Sequence, residues 1–123
     1  SSSAASDVYK RQPFTLYTDR SRLTQVLTNL LTNAIKHTKK GYICFGYDVT
    51  EQEIRFYVTD TGEGIPDDQL ERVFDRFVKL TQWTNGVGLG LAISKALVTK
   101  LGGRIEVTSQ QGVGSTFSVI FPR

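Results

Sequence analysis

At 123 residues the chain is the size of one domain, and its 36 Leu, Ile, Val and Phe residues lift it well above the roughly 20% below which chains stay disordered. Fifteen Lys and Arg against twelve Asp and Glu leave a net charge of only +3, interspersed along the chain, which argues against a nucleic-acid footprint. One cysteine (Cys44) and one histidine (His37) exclude a disulfide framework and a Cys-based zinc site, and no signal peptide or membrane-length apolar run of about 18 residues occurs, so we expect a domain without membrane contact in a reducing compartment.

The opening residues, SSSAASDVYKRQ, are Ser/Ala-rich without apolar period. Residues 1–13 read as a flexible arm or a cloning or assembly remnant, and 14–123 as the domain. Phe14 to Thr18 alternates like a short strand, and Asp19 offers a cap to a helix in which Leu23, Val26, Leu27, Leu30, Leu31, Ala34 and Ile35 are expected to form one buried face. Ile43, Phe45, Tyr47 and Val49 alternate, Thr50 to Glu53 turn, and Ile54, Phe56 and Val58 alternate back, with Asp60 keeping the inward phase. Pro66 suits the start of a second helix with Leu70, Val73, Phe74 and Phe77 on one side. Residues 78–88 read as a loop. A third helix follows, with Leu89, Ala92, Ile93, Ala96, Leu97 and Leu101 as its expected face and Gly102 as its terminator. Ile105 and Val107, then Phe117, Val119 and Phe121, form two closing strands around Gly112-Val113-Gly114. Helices interspersed among at least four strands argue a two-layer α/β sandwich.

Nine of the eleven glycines lie between Gly62 and Gly114, at the ends of elements. Gly86-Val87-Gly88-Leu89-Gly90 runs into the third helix, where unpaired N–H groups and the dipole attract phosphate; the same pattern also fits a plain flexible loop. An inward Asp60 needs a donor, which can be an adenine amino group or the N–H groups of its own Asp60-Thr61-Gly62-Glu63-Gly64 turn. Asn29, Asn33 and Lys36 follow i, i+4, i+7 spacing and form a polar stripe, either a solvated face or neutral oxygens for Mg²⁺ with a cation for phosphate.

Together these residues resemble the Bergerat-type ATP-binding domain shared by gyrase, Hsp90, histidine kinases and MutL, and within it the catalytic domain of two-component sensor histidine kinases. Asn29 to Thr38 is similar to the N box, Asp60 to Pro66 to the G1 box, and Phe74-Asp75-Arg76-Phe77 to the F box. Gly86 to Leu91 is similar to the G2 box and Gly112 to Phe117 to the last glycine motif. The resemblance implies an α+β fold, a mixed but mostly antiparallel sheet covered on one face by about three helices. It implies that Asp60 accepts the adenine N6 hydrogen, Asn33 holds Mg²⁺ against the phosphates and Lys36 contacts phosphate. Asn29, His37, Gly62, Gly64, Ile65, Phe77, Lys79, Gly86, Val87, Gly88, Leu89, Gly90 and Thr116 complete the implied ATP site, with residues 61–88 as its lid. His37, Val87 and Lys79 depart from the family's common Phe or Tyr, Ser or Thr, and Arg.

The ATP-hydrolysing relatives place an acid where Asn29 stands, and an amide is no general base, a role that contributes roughly 10² to 10⁴ in rate. We therefore expect transfer of the γ-phosphoryl group of Mg-ATP to a histidine on a separate helical phosphoacceptor domain, with a response regulator downstream, in the bacterial cytoplasm. The alternatives are a conformationally driven ATPase and a non-catalytic adaptor. No His-Glu/Asp-x-x-x-Pro acceptor segment occurs in these residues.

Overall fold

The computed structural model describes residues 18–75 and 88–123, with residues 88–90 described by backbone alone. The expected strand at Phe14 to Thr18 lies outside them except for Thr18.

Helix α1 spans Arg20–His37, and Asp19 caps it by accepting the Arg22 N–H at 3.1 Å. Lys36 and His37 occupy its last turn, where cations oppose the negative end of the dipole. Its buried line is Val26, Leu30, Asn33 and Ala34. Ile35, expected inside, is 64% exposed. It follows Val26 by nine positions, about two and a half turns, so the two point to opposite sides, and the expected face was too wide to be buried whole.

Strands β1 (Ile43–Val49) and β2 (Glu53–Asp60) form the hairpin, followed by a short helix α2 (Asp67–Leu70), helix α3 (Gly88–Lys100), and strands β3 (Arg104–Gln110) and β4 (Gly114–Pro122). The sheet order is β1-β2-β4-β3, and the three pairings are antiparallel. Register aligns Val58 with Phe117 and Phe56 with Val119, and Phe117 and Val119 in turn with Val107 and Ile105, so these side chains share one face. That face packs on the helices to form the core, with Val26, Leu30, Ala34, Ile65, Leu91 and Val98 opposite it. Phe74 meets Phe117 edge to face at 6.0 Å. No helix among the described residues is long and apolar enough to cross a membrane.

The other two helices also differ from expectation. After α2 the chain continues through Arg72 N–H to Gln69 C=O and Asp75 N–H to Arg72 C=O, at 3.1 and 3.0 Å. These i to i−3 bonds are tight turns, which bury Val73 without a long α-helix. In α3 the buried line is Leu91, Ser94 and Val98, whereas Ala96 is exposed and Leu97 and Leu101 only flank the core. This helix is apolar around most of its circumference, so its packing against α1 and β3 chooses the buried side. Its end is as expected. Gly102 takes φ +90°, its N–H reaches the Thr99 carbonyl, and the Gly103 N–H reaches that of Val98, a Schellman stop.

Candidate functional site

Asp60 ends β2 on the helix-covered face and is buried, with Ser115 directly across from it at the start of β4, also buried. Its Oδ1 accepts the Gly62 N–H at 2.9 Å. The turn therefore uses one acceptor position, and since a carboxylate has about four, the adenine-accepting role is compatible with it.

Ser109 ties the following residues to the sheet. Its hydroxyl accepts the Ile65 N–H at 2.8 Å, donates to the Gly114 carbonyl at 3.0 Å, and lies 2.8 Å from the Ser115 hydroxyl. Ile65 is fully buried beneath this network. Gly64 adopts φ +72° with its Cα against the Gln110 carbonyl, so any side chain there is both strained and obstructed.

Helix α1 supplies the opposite wall. Asn29 is half-buried and donates its Nδ2 hydrogen to the Ser94 hydroxyl at 3.3 Å. Asn33 is only 1% exposed, and its Oδ1 has no hydrogen-bond partner among the described residues. Leaving such an acceptor unpaired costs about 1 to 3 kcal/mol. Lys36 projects one turn further on and lines a cavity of about 230 Å³ with His37, Lys39, Lys40, Thr61, Gly62 and Glu63. Inside it, His37 Nδ1 and Glu63 Oε1 are 2.7 Å apart.

The structure thus brings Lys36, His37 and Gly62 together around one cavity, with Asp60 bonded to Gly62 and with Gly64 and Ile65 following in the same turn, while Asn33 and Asn29 lie one and two turns back along α1. Gly88, Leu89 and Gly90 form the first turn of α3. Phe77, Lys79, Gly86 and Val87 lie outside the described residues. Thr116 does not join the group. Alternation along β4 sends its side chain to the far face, where Oγ1 bonds Thr59 Oγ1 at 2.9 Å and lines, with Thr59 and Thr108, a depression of about 420 Å³.

Sequence reasoning missed Ser94, Ser109, Ser115 and Glu63. For Ser115 a signal existed: it holds the same phase as Phe117, Val119 and Phe121. The other three act through contacts 65, 44 and 26 positions away, which no local pattern carries.

Among the described residues no group of three or more His, Cys, Asp or Glu can hold a metal ion. A cation at this end therefore needs oxygens from a ligand in addition to a neutral amide, and the buried, partnerless Oδ1 of Asn33 fits that donor set.

Comparison with known proteins identifies the family and the fold. A family model described as "Histidine kinase-, DNA gyrase B-, and HSP90-like ATPase" matches residues 18–123. The sensor protein SrrB of Staphylococcus aureus is 44% identical over 110 residues, covering 85% of this chain and 19% of SrrB. The chain thus spans about a fifth of the length of the curated relatives it matches. Among solved structures, the catalytic domain of histidine kinase ThkA in a nucleotide-free form is 32% identical with a TM-score of 0.74, covering 85% of this chain and 69% of that one. A mycobacterial sensor histidine kinase, MprB, is 31% identical with a TM-score of 0.73, covering 87% and 76%. Full-length ShkA in complex with AMPPNP is 37% identical with a TM-score of 0.73, covering 82% and 21%.

Proposed function

Because the chain belongs to the histidine kinase-, DNA gyrase B- and HSP90-like ATPase family and is a catalytic domain of the histidine-kinase type, we propose that it binds Mg-ATP and presents the γ-phosphoryl group to a histidine on a separate helical domain. A response regulator receives the phosphoryl group downstream, and the reaction takes place in the cytoplasm.

The observation that carries this reading is Asn33 Oδ1, buried in the middle of the polar stripe and without a partner among the described residues. Bound Mg²⁺ supplies charge neutralisation at the phosphates. Asn33 holds that ion's side of the ligand, and Lys36 balances phosphate charge from the rim. Asp60 accepts the adenine amino hydrogen while its other bond keeps the turn shut. The glycine start of α3 offers N–H groups to phosphate. Asn29 spends an amide hydrogen on Ser94 and has no basic atom to activate water. These residues orient and stabilise, which is the protein's main contribution to phosphoryl transfer.

The test is radiolabelled γ-phosphate incubated with this chain, with and without a histidine-bearing helical partner. Acid-labile label on the partner supports the reading. Rapid hydrolysis by the chain alone would move the assignment to an ATPase, and absence of nucleotide binding to an adaptor.

A further inference from the structure

The base-side and phosphate-side halves of the site sit on different elements. Asp60 belongs to the end of β2 and the turn after it, whereas Asn33 and Lys36 belong to α1. Among the contacts between these elements, two lie at the end of the helix and bear on its spacing from the turn. Gly62 lies so close to the His37 carbonyl that a Cβ at Gly62 would collide with it. Next to that contact, the His37 ring meets Glu63 Oε1 at 2.7 Å, with the His37 side chain 9% exposed and Glu63 53% exposed. The first sets how near the turn approaches the helix, and the second stops it sliding along the helix. The same turn is closed on its other side by the Gly62 N–H to Asp60 bond. Asp60 is fixed on β2, which is bonded to β1 and β4, and the Glu63 carbonyl accepts the Gly112 N–H at 2.8 Å, so the contact at Glu63 sets where the end of α1, and with it Lys36, stands relative to Asp60.

We propose that Glu63 is a positioning residue that acts through His37 to hold the two half-sites at the spacing of one nucleotide. This rests on the reading above, in which Asp60 meets the base while Asn33 and Lys36 meet the phosphates. A ligand that spans both halves gains from a fixed spacing, because it no longer has to fix the helix end against the turn when it binds. A ligand that occupies only the base side gains nothing from it. The role is thus separable from folding: loss of fold weakens every ligand alike, whereas loss of spacing weakens only the one that bridges.

The experiment is calorimetric titration of the chain with Mg-ADP and NMR titration with adenosine, each variant being first checked for an unchanged urea midpoint. Glu63→Ala should weaken ADP about threefold, the scale of a solvent-exposed charged hydrogen bond, and adenosine by less than about twofold. Glu63→Gln keeps an acceptor oxygen and should restore most of the loss. In a His37→Phe background, Glu63→Ala should cost nothing more. Asp48→Asn removes a carboxylate whose partner is Arg55 at 2.8 Å, away from the site, and should leave both affinities unchanged. Unchanged ADP affinity in Glu63→Ala, an equal loss for adenosine, or a full second loss in the His37→Phe background would each overturn the proposal. A wild-type chain that fails to bind ADP would instead sink the nucleotide reading itself.

Discussion

The two ends of this sheet are made from the same strands and treat their polar groups in opposite ways. At the β1–β2 turn, the Thr50 hydroxyl accepts the Gln52 and Glu53 N–H groups at 3.2 and 3.0 Å, and the Thr50 N–H reaches the Glu53 carbonyl at 2.8 Å. Arg123 closes over that turn, its N–H on the Gln52 carbonyl at 2.9 Å and its guanidinium on that of Thr50. At the other end Asn33, Asp60 and Ser115 are buried polar residues, and the Asn33 oxygen has no donor among the described residues. One end spends its polar groups on its own fold. The other bonds Asp60 and Ser115 within the fold but leaves the Asn33 oxygen desolvated and without a partner among the described residues, and a polar group fixed before a ligand arrives is what makes oriented dipoles effective in catalysis.

The largest test of that contrast is Asn33→Ala. Phosphoryl transfer to a histidine-bearing partner should fall by about 10² or more, as when one transition-state donor or ligand is removed from an enzyme. The urea midpoint should hold or rise, because the substitution deletes an acceptor the fold leaves unpaired. A marked loss of stability would mean that Asn33 is a folding residue and that the two ends do not differ. Second, Asp60→Asn places an amide where an acceptor is needed. Calorimetric affinity for ADP should drop about tenfold, and the wild type should prefer ADP to GDP by a similar factor, since guanine presents an acceptor at that place.

At the self-satisfied end the outcome reverses. Thr50→Val removes the hydroxyl acceptor from two N–H groups, so unfolding free energy should fall by about 1 kcal/mol while ADP affinity stays the same. The smallest effect belongs to Arg104, whose pKa is raised first by its hydrogen bond to Glu53 and then by that to Glu106. A raised basic pKa gives stability that is fully present below the unfolded value and lost only as pH rises through the folded one. For a guanidinium that window lies beyond the working range. Arg104→Gln should therefore leave the urea midpoint unchanged between pH 6 and pH 9, in keeping with the small contribution of exposed ion pairs.

Much of the architecture was legible in the residues because strand alternation has a period of two and fixes which side chains share a face, although Ile120 is buried on the far face and Phe45, in the inward phase, is 50% exposed. Ile54, Val58 and Phe117 point inward as their spacing demands. Helix faces were legible only where polar residues bound them. The stripe Asn29, Asn33 and Lys36 marks one side of α1, whereas nothing polar delimits α3 enough to single out Leu91, Ser94 and Val98. The site divided the same way. Asp60 announces itself as an acid in an inward phase. Thr116 was read from the motif rather than the pleat, and the pleat gives the place facing Asp60 to Ser115. The His37–Glu63 and Asn29–Ser94 pairs were invisible because each joins two elements whose meeting is decided by the fold as a whole.

The strand order β1-β2-β4-β3 carries one more consequence. Asp60 and Ser115 stand on the two central strands, which are hydrogen-bonded on both sides, while β1 and β3 have, among the described residues, a neighbour on one side only. Backbone amides of an outer strand exchange with solvent through local fraying, whereas those of β2 and β4 wait for the whole domain to open. In deuterium-exchange experiments the floor beneath Asp60 should be among the last parts of the chain to take up label. A ligand bound there slows that uptake by a factor of one plus the ratio of free ligand concentration to Kd, so the protection of these central amides is a direct reading of occupancy.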